Sequence, residues 1–113
     1  MDQASLSYSS LIPLVNQLFD LEKKLSKLEN GQKAQRNLRR MKENLQDLGL
    51  FFHDPLGERF DETRTDCEAS IAGEDSEDLV ITEVLKPIIH LKNSQQVQLL
   101  QAGLVIVAAK QSK

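Results

Sequence analysis

The chain has 113 residues, of which 40% are apolar and 4% aromatic, with no Trp and a formal charge of −3 at pH 7. That length fits one domain, or a helical segment beside one very small domain, with a modest core. So few aromatics argue against a deep small-molecule pocket, Cys67 as the only cysteine excludes an internal disulfide, and the apolar run Gly103 to Ala109 is too short to cross a bilayer.

Met1 to Ser10 lacks both a basic region and an apolar run, so no secretory signal is expected and a reducing cytoplasm is the expected compartment. Ser10 is a candidate N-cap, with Pro13 in the first turn of the helix it opens. Leu11, Leu14, Leu18, Leu21, Leu25 and Leu28 then follow 3-4-3-4-3 spacing, which predicts one apolar stripe on a helix. Asn30-Gly31 interrupts the stripe as a left-handed helix end. A second stripe follows at once: Ala34, Leu38, Met41, Leu45 and Leu48, closed by Gly49 as a C′ glycine. The short connection predicts an antiparallel hairpin over residues 1–49. Ile12, Val15 and Phe19 form a second strip beside the first leucines, and a lone hairpin leaves it wet. Two hairpins joined as a dimeric four-helix bundle would cover it, with Leu11, Ile12, Leu14, Val15, Leu18 and Phe19 at the interface. The alternative is that the chain's own second half covers that strip.

After Gly49 the heptads stop, and residues 50–113 read as a small all-β domain, making the fold class α+β. Phe51-Phe52 is a short apolar pair, and His53-Asp54-Pro55-Leu56-Gly57 reads as a turn. Strand candidates are Glu58 to Phe60, Ala69 to Ala72, Leu79 to Ile81, Val84-Leu85 and Ile88 to Leu91, the last held to an edge or a strand start by Pro87. Glu83 to Lys86 fits a helix as well. Asn93-Ser94 is a turn, and Leu104 to Val107 is the clearest strand, apolar on both faces and expected to be central. Five or six short strands in this span predict a small barrel or sandwich.

Charge is segregated. Residues 21–48 hold eight bases against four acids, whereas residues 54–83 hold eleven acids against Arg59 and Arg64 alone. An acidic half repels phosphate backbones, which argues against nucleic acid as the partner. His53, Asp54, Asp61, Asp66, Cys67 and Glu68 are close in sequence but lack the paired spacing of a metal site, and a solvated acidic turn is the simpler reading. No base is aimed at Cys67, and its neighbours Asp66 and Glu68 disfavour a thiolate. With no Gly-rich phosphate loop either, the sequence predicts no metal, no cofactor and no catalysis.

The order of these features resembles the GrpE family, the nucleotide exchange factors of DnaK-type chaperones. Leu11-Ile12-Pro13-Leu14-Val15-Asn16-Gln17-Leu18 with Leu21-Glu22 is similar to the family's first bundle helix, and Leu45-Gln46-Asp47-Leu48-Gly49-Leu50 to the end of its second. Gly57-Glu58-Arg59-Phe60-Asp61 resembles the G-x-x-F-D-P motif, Glu68-Ala69-Ser70-Ile71 the H-E-A-V motif, and Leu100 to Val107 the L-R-P-A-M-V-x-V segment. Cys67 stands in place of the family's His, Glu62 in place of a Pro, and Gln101-Ala102 in place of Arg-Pro. The resemblance implies a homodimer whose β domain binds a chaperone's nucleotide-binding domain. Gly49 would be the hinge, with Gly57, Phe60, Asp61, Glu68 and Ala69 nearest the partner. A scaffold of the same fold with a different protein partner is the rival reading, and a metal-dependent enzyme on the acidic loops is a third class.

Overall fold

A computed structural model describes the backbone of residues 3–110, and side chains from Ser10 to Lys110. The expectation of no secretory signal in Met1 to Ser10 falls, except for Ser10, outside the described side chains. The chain is α+β: helices α1 (Gln3–Ser26) and α2 (Gln32–Asp47) precede strands β1 (Leu50–His53), β2 (Arg59–Phe60), β3 (Cys67–Ile71), β4 (Leu79–Lys86), β5 (Ile88–Lys92), β6 (Val97–Gln101) and β7 (Gly103–Ala109). Strands β1-β5-β6 form a three-stranded sheet and β2-β4-β7-β3 a four-stranded one, each in that order. Two compact units result: residues 1–51 with 90–98, and residues 52–89 with 99–113. The return of 90–98 to the helical unit has no cue in the sequence. No helix among the described residues is long and apolar enough to cross a membrane.

In the helical unit, α1 begins well before Ser10, which is therefore not its N-cap. Nothing from Gln3 to Ser10 stops a helix, since the stretch has neither Gly nor Pro. Pro13 consequently sits inside the helix rather than in its first turn, where it withholds an N–H from the backbone ladder. Eight apolar residues of α1, from Leu11 to Leu25, cover an arc of roughly 180° at 100° per residue. One flank of that arc is buried, with Val15 0% and Phe19 1% exposed and Leu18 close behind. From α2, Leu38 and Leu45 are buried, and Lys42 reaches Glu22 of α1 at 3.4 Å.

Between the helices, Gly31 does not take the expected left-handed conformation: its φ is −83° and it is the N-cap of α2. What it needs is room, because a Cβ there would lie 2.6 Å from the Leu25 carbonyl oxygen. Gly49 does end α2 left-handed, at φ +91°, with its N–H on the Gln46 carbonyl. Its own carbonyl accepts from Lys92 N at 2.8 Å, so the helix stop is also a backbone junction with β5.

In the β unit, β7 is central, antiparallel to β4 and parallel to β3, as its apolar run predicts. The barrel-or-sandwich expectation resolves, among the described residues, into two sheets and seven strands. Val84-Leu85 is no separate element and Glu83 to Lys86 is no helix; both belong to the continuous strand β4. Register shifts after Ile81 and after Val84 bulge that strand, so Leu79, Ile81 and Val84 all point inward despite a three-residue step between the last two. That step is what lets the segment pass for helical. β6, absent from the sequence reading, follows a turn in which the Asn93 carboxamide oxygen accepts from the N–H groups of Gln95 and Gln96.

Candidate functional site

The β unit gathers its charge at the beginnings of its two edge strands. Glu58 precedes β2 and Asp66 precedes β3, and these strands lie at opposite edges of the four-stranded sheet. The Arg64 guanidinium joins them: Nη2 donates to Glu58 at 2.7 Å, Nε to Asp66 at 2.6 Å, and Nη1 to the Arg59 carbonyl at 3.0 Å. His53 hydrogen-bonds the other oxygen of Glu58. Within the connection, Asp61 accepts from the Thr63 N–H at 2.9 Å and from its hydroxyl, and the Arg64 N–H donates to the Asp61 carbonyl. This six-residue loop is thus held by side-chain bonds at both ends and by an Asx turn inside.

The electrostatics follow from those contacts. The hydrogen bond from Arg64 holds Asp66 below the usual carboxylate range. Burial pushes Glu58 upward, but the bonds from Arg64 and His53 outweigh it and leave its pKa lowered. Asp61 is lowered by its two Thr63 bonds, and Arg64 is raised, chiefly by its bond to Asp66. Burial pushes the Cys67 thiol up, with Asp66 adding to that, so the thiolate is disfavoured. Among the described residues no three His, Cys, Asp or Glu groups converge as a metal cage would require.

Of the residues singled out by sequence, Gly57, Phe60, Asp61, Glu68 and Ala69 belong to the β unit and Gly49 to the helical one. Gly57 donates its N–H to the Ile81 carbonyl, fixing the entry to β2. Asp61 and Glu68 are exposed, whereas Phe60 and Ala69 are half-buried. Phe60 pairs with Leu79 on β4, and Glu68 with Leu104 on β7, so the two motifs occupy different edges rather than one patch. The residue that connects their strands, Arg64, was not among the candidates. Its signal is compositional: one of two bases in a segment of eleven acids, flanked by Glu58 and Asp66.

On the helical unit, Val15, Leu18 and Phe19 are already buried within the single chain, and Leu11 and Ile12 are half-buried. The strip expected to need a partner is therefore covered, and of the six expected interface residues only Leu14 is exposed. What remains open on the opposite flank of the arc is Leu14 and Leu21, at 46% and 45% exposure, with Leu28 beyond the end of the helix at 60% and Met41 of α2 at 43%. Leu14, Leu18, Leu21 and Met41 line a shallow groove of about 260 Å³ bordered by Asp20 and Lys24.

No family model, no curated protein and no solved structure matches the chain.

Proposed function

We propose that this chain is a GrpE-like, homodimeric co-chaperone without catalytic chemistry of its own. In this reading the helices form a hairpin and half of a bundle, and the β unit binds the nucleotide-binding domain of a DnaK-type chaperone. The observation that supports it best is the pairing of family-like motifs with a preset surface. Asp61 and Glu68 are exposed on or beside edge strands, and Arg64 fixes the loop between those strands. A loop already ordered loses little entropy on binding. Exchange then needs only differential affinity: the β unit gains contacts with the open, nucleotide-poor chaperone and shifts its population that way.

Stopped-flow release of a fluorescent nucleotide from the cognate chaperone tests this. The chain should accelerate release, and Glu68→Arg should cut the acceleration more than about tenfold, since losing one hydrogen-bonded interface charge pair costs ~2–5 kcal/mol. One observation favours a scaffold with another partner instead. Cys67, in the position of the family's His, is buried, and burial pushes its thiol pKa up, which argues against the contact that a His would make there. The scaffold reading expects no acceleration at any concentration.

A further inference from the structure

Asn30-Gly31 lies in the connection between α1 and α2, and no other Asn or Asp in the chain is followed by glycine. The pairing has a chemistry of its own. A backbone nitrogen can attack the side-chain carbonyl of the asparagine before it, and glycine has no Cβ to obstruct the approach. Asn30 is exposed, and among the described residues its carboxamide makes no hydrogen bond. The other four asparagines each lack one of these conditions. Asn16, Asn37 and Asn44 stand inside helices, where the next N–H is committed to the helical ladder. Asn93 keeps its carboxamide oxygen on the N–H groups of Gln95 and Gln96.

The attacking atom is also loosely held. The Gly31 N–H reaches the Leu28 carbonyl at 3.4 Å, the longest of the backbone bonds in the turns and loops of the described residues. Gly31 itself is buried, with its Cβ position 2.6 Å from the Leu25 carbonyl oxygen. Nitrogen and carboxamide therefore meet when this turn opens locally, and that one long bond resists the opening.

We propose that Asn30 is a site of spontaneous covalent modification, with Gly31 as the nucleophile and water as the only co-reactant. The Gly31 nitrogen gives its proton to solvent and bonds to Asn30 Cγ, the Cγ–Nδ2 bond breaks, and the amide leaves as ammonia. Water then opens the succinimide ring. Opening at Cγ restores the normal backbone with an aspartate. Opening at the backbone carbonyl gives isoaspartate, whose chain runs through Cγ and is one methylene longer. Either product adds a negative charge just ahead of α2, which has no acid in its first turn and no side-chain cap. The aspartate favours the helix dipole. The isoaspartate forces extra backbone against Gly31, where there is no room, and destabilises the start of α2.

Incubating the full chain at mildly alkaline pH in heavy-oxygen water, followed by peptide mass mapping, tests this. Asn30 should convert at least about tenfold faster than any other asparagine, because only there do nucleophile and carbonyl come within reach. Each product should carry one heavy oxygen, with aspartate and isoaspartate both present. The rate should rise with pH, since the attacking nitrogen must lose a proton. Asn30→Gln should abolish the acidic species seen on ion exchange. In urea, freshly purified Asn30→Asp should unfold no earlier than the fresh chain, and the isolated isoaspartate form should unfold earlier than both. An Asn30 that stays amidated overturns the proposal, as does conversion no faster than at Asn93 or a product without the label. An isoaspartate form as stable as the fresh chain overturns the strain assigned to Gly31.

Discussion

In the β unit, Leu79, Ile81, Val84, Val105 and Val107 are all buried, and two bulges in β4 keep it so where strict alternation would turn Val84 outward. Its exposed apolar residues Leu56, Ile71 and Leu85 stand singly at a turn, a strand end and a bulge, and Leu99 shares the edge strand β6 with exposed Val97. The helical unit behaves otherwise: α1 carries an apolar arc wider than one chain covers, and the surplus falls in a row. Charge divides the same way, with eight bases in residues 21–48 and eleven acids in 54–83. The comparison separates two kinds of surface. One unit packs its apolar residues inside and presents a charged, preset loop, and the other leaves apolar side chains open along a regular helix.

The sharpest way to break this contrast lies within α1 itself. Phe19→Ala empties a fully buried site and should cost ~3–5 kcal/mol in urea unfolding, whereas Leu21→Ala, measured where the chain is monomeric, should change stability by no more than about 0.5 kcal/mol. Equal losses would mean that the exposed flank is in truth part of the core. Pro13→Ala should act in the opposite direction. Restoring an N–H inside the helix should raise stability by ~1–3 kcal/mol and leave the β unit's spectroscopic signals unchanged.

In the β unit, Arg64→Met should cost about 1–2 kcal/mol at neutral pH, since the guanidinium is mostly buried but its partners are a third exposed. The pH dependence gives the sign. Asp66 and Glu58 are held below their unfolded pKa values, so the stability they confer is present above pH ~4 and is lost as pH falls through their folded values. Arg64→Met should flatten that acid limb in thermal melts between about pH 5 and 2, and an unchanged slope would show that the clasp carries no stability. The smallest effect belongs to the half-buried pair Lys42–Glu22, where Lys42→Gln should cost under about 0.5 kcal/mol and less in high salt.

The sequence discloses elements wherever periodicity is clean. The leucine spacing marks both helices, Gly49 marks the end of α2, and the run Leu104 to Val107 marks the central strand. It misleads where tertiary structure alters the period, as at the Thr82 bulge, and where nothing apolar alternates strongly, as in β6. Which flank of α1 is covered depends on the rest of the chain, and so no pattern of leucines could decide between Phe19 and Leu21. Of the candidate site, the exposed acids Asp61 and Glu68 are legible as motif residues. Arg64 is not, because its three acceptors lie up to six residues away and meet only when β2 and β3 are in place.

The parallel pairing of β3 with β7 also sets a timetable for synthesis. Cys67 pairs with Gly103, thirty-six residues later, and β3 has no other neighbour in its sheet. At roughly 5–20 residues per second, β3 waits about 2–7 s after it is made before its partner strand exists. Until then β4 also lacks the strand against which Ile81 and Val84 are buried. The helical unit is largely complete in this interval, while the β unit has only the short β2–β4 pairing to form, and its acidic charge disfavours self-association. The eleven acids of residues 54–83 thus set a repulsive charge on the chain during the interval in which β3 has no partner.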